Sequence, residues 1–178
     1  MGQYYKTVIE TKNGIEVLHP HEYNNGLKLM EHSWVGNRYC NAVVSAIITN
    51  PMCRVAHMGD YSENYPLGTK KDRTRYYNAA WGARAKTPEH YPSCNEDTVY
   101  IVDFDKREYI SYDCKRKDDE WTINPLTLLV AVGNGSGGGD DRGADQGVVG
   151  RWAFDRLQVV SFRPDGDCIE VCPHFKEE

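Results

Sequence analysis

Asn124-Pro-Leu-Thr-Leu-Leu-Val-Ala-Val-Gly133-Asn-Gly-Ser-Gly-Gly-Gly-Asp140-Asp-Arg-Gly-Ala-Asp145-Gln-Gly-Val-Val-Gly-Arg-Trp152 sets the terms for the rest of the chain. The apolar run Leu126 to Val132 reads as a buried strand. It empties into a segment with seven glycines between Gly133 and Gly147 and four charged residues, Asp140, Asp141, Arg142 and Asp145. Glycine lacks a Cβ, so it lets a backbone approach a ligand closely at a cost in folding entropy. The letters Gly133-x-Gly135-x-x-Gly138 match the dinucleotide-binding fingerprint and follow an apolar strand. That motif needs a helix to begin within it, so that the helix N-terminus meets the pyrophosphate. Residues 139–150 instead add four more glycines and three aspartates, and too little chain follows for a doubly wound sheet. A phosphate-binding P-loop needs Lys and Ser or Thr after its last glycine, where Gly139 and Asp140 stand. With both parallel-sheet nucleotide folds excluded, the glycine segment is expected to act as a nest of backbone N–H groups able to hold an anion without a helix.

Outward from this segment, the chain is mostly paired strands. Gln3 to Glu10 is rich in aromatic and β-branched residues, and Asn13-Gly14 supplies a turn into Ile15 to Leu18. Leu27 to Trp34 is either a third strand or the approach to a helix. Asn37 to Thr49 carries the clearest helical signal. Tyr39/Cys40, Val43/Val44 and Ile47/Ile48 recur every four residues, Asn37 can cap the start and Pro51 stops the end. Cys53 to Met58 is a short buried strand delivering Gly59-Asp60-Tyr61, and a second helix is expected over Arg73 to Ala85. Thr98 to Phe104 and Glu108 to Cys114 form another hairpin. Val148 to Phe162 and Cys168 to Cys172 complete the strands. These elements predict one α+β domain over residues 1–178, with a largely antiparallel sheet, one or two packed helices and a long glycine-rich loop.

The chain has 178 residues and a formal charge of −5, which argues against a broad nucleic-acid binder. No apolar run approaches the roughly 18 residues of a membrane helix, and the start lacks a signal-peptide layout, so a cytoplasmic protein without membrane partners is expected. Six scattered cysteines read as reduced thiols; Cys168, Cys172 and His174 do not make zinc spacing.

Candidate chemistry falls into two groups. The cradle for an anionic small molecule or nucleotide comprises Gly133, Asn134, Gly135, Ser136, Gly137, Gly138, Gly139 and Asp141, with Arg142 and Arg151 as bidentate counter-charges and Trp152 beside them. Asp140, Asp141 and Asp145 repel an anion unless a divalent cation lies between, yet their order is not that of an EF-hand. No cofactor is specified. The second group is catalytic: His32, oriented by Asp60 or Asp140, is a general-base arrangement suited to a hydrolase or transferase. Serine-hydrolase and zincin motifs are absent from the sequence.

Met1-Gly-Gln-Tyr-Tyr-Lys6, Gly26-Leu-Lys-Leu-Met-Glu-His-Ser-Trp34, Gly59-Asp-Tyr61, the glycine block to Gly143 and Gly150-Arg-Trp-Ala-Phe-Asp155 together resemble a family of small bacterial and phage proteins of unassigned activity. The resemblance spans most of the chain. It implies a bacterial or phage cytosol and supplies no catalytic residues. The expected function is a ligand binder, in a phage setting one that sequesters a host-defence signal. An enzyme built on His32 is the alternative, and a protein inhibitor docking on a host protein is another.

Overall fold

The computed structural model describes residues 3–62, 69–82, 99–111, 116–117, 122–133 and 148–171. A mixed sheet of eight strands runs in the order β10-β5-β4-β9-β3-β1-β2, with β8 alongside β3. β1 (Tyr5–Thr11), β2 (Gly14–Leu18) and β3 (Cys53–Gly59) are antiparallel neighbours. β4 (Tyr100–Asp103) and β5 (Glu108–Ser111) form the expected hairpin, which joins the sheet through β9 (Arg156–Val160). β8 (Ala131–Val132) and β10 (Ile169–Glu170) are short and pair in parallel with β3 and β5, so antiparallel pairing dominates. A two-residue pair, β6 (Arg116–Lys117) with β7 (Thr122–Ile123), stands apart. This is an α+β architecture.

The helices lie on both faces. In α2 (Arg38–Thr49), the Asn37 side chain accepts the Tyr39 N–H at 2.7 Å, and the stripe Tyr39, Val43, Ala46 and Ile47 is buried against Ile9, Val55 and Leu157. α3 (Lys70–Trp81) covers the opposite face, where Tyr76 and Ala80 meet Val8, Ala56 and Met58. Period-two alternation along β1 therefore sends Tyr5, Thr7 and Ile9 to the α2 side and Val8 to the α3 side. Each fully buried Val, Leu or Ile on these faces contributes about 1.5–3 kcal/mol, which makes this register hard to slip.

Four expectations are corrected. The apolar run after Asn124 starts as a helix: α4 (Pro125–Leu129) precedes β8, because Asn124 caps the Leu126 N–H at 3.0 Å and Pro125 occupies the first helical position. Leu27 to Trp34, expected as either a strand or the approach to a helix, takes the second form in the single helical turn α1 (Leu29–His32). The second helix spans Lys70–Trp81, not Arg73–Ala85, because Thr69 caps it at the Asp72 N–H. Residues 148–155 are turn, with strand only from Arg156. The first hairpin also turns at Lys12 and Asn13, one residue early, with Thr11 opposite Gly14.

β3 is the fork of the sheet. One edge pairs with β1 throughout. On the other edge Cys53 and Arg54 pair with β9, Val55 accepts the Phe154 N–H, and His57 and Met58 pair with β8.

Candidate functional site

The parallel register His57↔Ala131 and Met58↔Val132 brings the ends of β3 and β8 level, so Gly59 and Gly133 sit side by side. Gln3 fills the space above them. A Cβ on Gly59 would lie 2.6 Å from Gln3 Cδ, and one on Gly133 would lie 2.5 Å from Gln3 Oε1 and 2.9 Å from Tyr5 Cζ. Tyr5 Oη donates to Gln3 Oε1 at 3.0 Å. Asp60 and Gly133 thus stand at the ends of adjacent strands on the same side of the sheet. Residues 134–147, and with them Asn134, Gly135, Ser136, Gly137, Gly138, Gly139, Asp140, Asp141 and Arg142, lie outside the described residues.

Directly beneath these strand ends, on the α2 face, polar side chains are buried in the core. Thr7, His32, Tyr39 and His57 are each 0–1% exposed. Thr7 Oγ1 lies 2.5 Å from both Tyr39 Oη and His57 Nδ1, while Tyr39 Oη accepts the Thr7 N–H at 2.8 Å and donates to Leu18 O at 3.2 Å. Since a carbonyl only accepts, one directed chain accounts for these contacts: His57 Nδ1–H to Thr7, Thr7 O–H to Tyr39, Tyr39 O–H to Leu18. His32 follows the same logic. Its Nδ1 lies 3.1 Å from Gly26 O and so carries the proton, leaving Nε2 as a bare lone pair, buried with no hydrogen-bond partner among the described residues. Its ring stands edge-on to Tyr39 and His57, with centroids 4.9 and 6.0 Å apart.

Burial holds both imidazoles neutral. Desolvation pushes His32 down to about 4, against smaller opposing effects of the Gly26 carbonyl and Glu31, and pushes His57 well below its ordinary value with His32 adding to the shift. Burial likewise drives the Tyr39 phenol above its ordinary value. The cluster is a neutral network, rich in directed donors and acceptors and poor in acid–base reactivity at neutral pH.

His32 is oriented by Gly26, not by Asp60. The Asp60 carboxylate accepts the Tyr4 N–H at 3.1 Å, its backbone carbonyl accepts Tyr77 Oη at 3.2 Å, and it makes no bond to His32. The expected counter-charge role of Arg151 meets a competitor: its guanidinium forks onto Glu108, with Nε 2.9 Å from Oε2 and Nη2 on Oε1. That contact is the main reason the Glu108 carboxyl lies below its usual range. Trp152 is wholly buried and donates Nε1–H to the same carboxylate at 2.8 Å, so it is a core residue and not a ligand platform. Missed in the sequence were Gln3, Tyr5, Thr7, Tyr39 and His57. The alternation Gln3, Tyr5, Thr7 was a legible signal of a polar stripe on one strand face; His57 was hidden in a strand buried on both sides.

No helix of the described residues is long and apolar enough to cross a membrane. Comparison with protein-family models, with curated proteins and with solved structures finds no match to this chain.

Proposed function

We propose that the chain binds a small anionic, nucleotide-like molecule at the carboxyl ends of β3 and β8. The observation that carries this is the parallel pairing of β3 with β8, which aligns Gly59 with Gly133 at the point where the sheet's neighbour to β3 changes from β9 to β8. Crevices outside the carboxyl ends of parallel strands, at such a change of neighbour, are where open sheets take their ligands. The chemistry there suits a nucleoside part. Tyr61 and Tyr4 are 50% and 44% exposed on either side of Asp60, offering faces for a base to stack on. Tyr4 N–H occupies one Asp60 carboxylate oxygen, and the other is an acceptor for ribose hydroxyls. Of the expected phosphate cradle, Gly133 stands at this crevice, and the rest, Arg142 among it, lies outside the described residues.

Binding is favoured over the hydrolase or transferase built on His32. A base with a pKa near 4 is poorly matched to proton abstraction at neutral pH, where the best base has a pKa near 7. In this reading the ligand is held and released unchanged, as a protein sequestering a host-defence signal requires. The test is native mass spectrometry of the purified chain, then thermal unfolding against AMP, ATP, cyclic nucleotides and NAD, with and without Mg²⁺. A ligand at 100 times its Kd stabilises by about 2.7 kcal/mol, and Asp60→Asn with Tyr61→Ala abolishes the gain. A panel with no retained mass and no shift, or recovery of a chemically altered nucleotide, overturns the assignment.

A further inference from the structure

At the opposite end of the sheet from Gly59 and Gly133 lies a cleft of about 440 Å³, between the end of β1, the C-terminus of α2 and the first residues of β3. That volume is in the range of small-molecule pockets, roughly 300–1,000 Å³. We infer that this cleft is a second binding site, for a small organic anion whose carboxylate or phosphate meets Lys12 and Arg54 and whose apolar body lies on Met52.

Charge is the first support. Around the cleft, Lys12, Arg54 and Arg156 face a single lining carboxylate, Glu10, which is already engaged by Arg75 and by Tyr76 Oη at 2.9 Å. Asp105, a second nearby carboxylate, is held by Arg156 at 2.6 Å and lies 3.8 Å from Arg54, and Glu16 is near enough to act on the lining Cys53. Among the described residues Lys12, Arg54, Arg75 and Arg156 thus stand against Glu10, Asp105 and Glu16, a small local positive surplus in a chain whose net charge is −5. Such a reversal of sign focuses anions into a cleft. The C-terminus of α2 opposes this with about half a negative charge, but its carbonyls are partly satisfied: Asn50 donates to Ala46 O through N and Nδ2, and Thr49 Oγ1 donates to Ser45 O.

Donor availability is the second. Arg54 spends only Nη1 within the protein, on Phe154 O at 2.6 Å, with Asp105 near the same nitrogen; Nε and Nη2 make no hydrogen bond among the described residues. The Phe154 contact fixes the guanidinium plane, leaving a two-nitrogen edge of the kind that reads a carboxylate or phosphate. Lys12 is exposed and makes no ion pair or hydrogen bond among the described residues.

Backbone strain is the third. The turn Asn50-Pro51-Met52-Cys53 closes with Cys53 N–H to Asn50 O at 3.1 Å, and Met52 has φ +64°. With proline second, a positive φ at the third residue is the type II arrangement, a position that calls for Gly or Asn. Methionine there is strained, and strained backbone of this kind clusters at ligand clamps. Met52 is 38% exposed, a flexible, polarizable surface suited to a flat apolar ligand. Burial pushes the Cys53 thiol up to about 12, so the lining sulfur brings no negative charge.

The test uses the full chain labelled at methionine methyl carbons, with the Met52 signal assigned through Met52→Leu, titrated with phenyl phosphate, inorganic phosphate and benzylamine. Phenyl phosphate moves the Met52 methyl resonance saturably, inorganic phosphate binds more weakly, and benzylamine leaves it still. Lys12→Gln, a substitution at an exposed side chain without partners among the described residues, weakens phenyl phosphate about tenfold, the effect of losing one charge-assisted contact. Arg54→Gln weakens it at least as much. No saturable movement, an equal response to benzylamine, or unchanged affinity in Lys12→Gln overturns the second site, whatever ligand the Gly59–Gly133 crevice takes.

Discussion

Gly133→Ala tests the geometry of the strand-end crevice most directly. Gly133 is not among the positive-φ glycines, so alanine there costs nothing in backbone strain and the whole effect is packing. The added Cβ would fall 2.5 Å from Gln3 Oε1 and 2.9 Å from Tyr5 Cζ, and closer still to the Tyr5 hydroxyl. Gln3 and Tyr5 are 0% and 2% exposed, so neither can swing into solvent without opening the core. Overpacking of this kind costs about 1–3 kcal/mol. Displacing Tyr5 also breaks its 3.0 Å bond to Gln3, worth about 1 kcal/mol. Against this stands a gain of about 0.4–1 kcal/mol from a stiffer unfolded chain. The expected net loss is about 2 kcal/mol. It is read as a lower urea midpoint at unchanged slope, since the surface exposed on unfolding does not change. Tyr5→Phe removes the nearest clashing atom, so the double variant should lose less than the sum of the singles by about 1 kcal/mol. A Gly133→Ala protein as stable as the parent, or strict additivity with Tyr5→Phe, would refute the side-by-side placement of Gly59 and Gly133.

Further outcomes follow from the buried ionisable groups. The folded pKa of His32 falls from 6.5 to about 4, so between these values the unfolded chain binds the extra proton. Stability is full above pH 6.5 and drops by about 3 kcal/mol as pH falls toward 4; His32→Gln should flatten that limb in urea titrations run from pH 4 to 7, and an unchanged limb would count against a neutral buried imidazole. Asp103 has the opposite sign. Burial foremost, with the nearby Asp155 carboxylate adding to it, raises its carboxyl from 3.8 to about 7. The folded state therefore holds the proton more tightly, and stability is lost as pH rises through that interval by an amount on the order of 2–4 kcal/mol. Asp103→Asn, which mimics the protonated form, should gain stability at pH 8 and none at pH 4; a loss at both would show the carboxylate is needed charged. Glu108→Ala strands the buried Trp152 Nε1–H and should cost about 2–3 kcal/mol, whereas Arg151→Ala, at a side chain 43% exposed, should cost about 1. Equal losses would mean the ion pair, not the indole contact, stabilises this corner. Native alkylation at pH 7.5 should modify Cys168 and spare Cys40 and Cys53, which are buried; labelling of Cys53 at a comparable rate would contradict its 2% exposure.

What the sequence determined by itself were the features whose causes lie within a few residues of one another. Asn37 ahead of Tyr39, with Pro51 after Thr49, specified α2 almost to the residue; the β-rich arms around Asp105-Lys106-Arg107 specified the β4–β5 hairpin. The glycines and aspartates that follow Gly138 argued against the doubly wound nucleotide folds from letters alone. Even the α4 turn was legible in Asn124-Pro125, although the apolar run behind it argued for strand. Tertiary structure alone decided the rest. His32 meets His57, and Gly59 stands beside Gly133, only because β1, β3 and β8 pair in one register that buries Val8, Val55 and Ile9 on their proper faces. Arg151 faces Glu108 for the same reason, across 43 residues of chain. No local propensity encodes such partners. Their choice rests on the summed burial of two sheet faces, and that sum exists only once the strands are side by side.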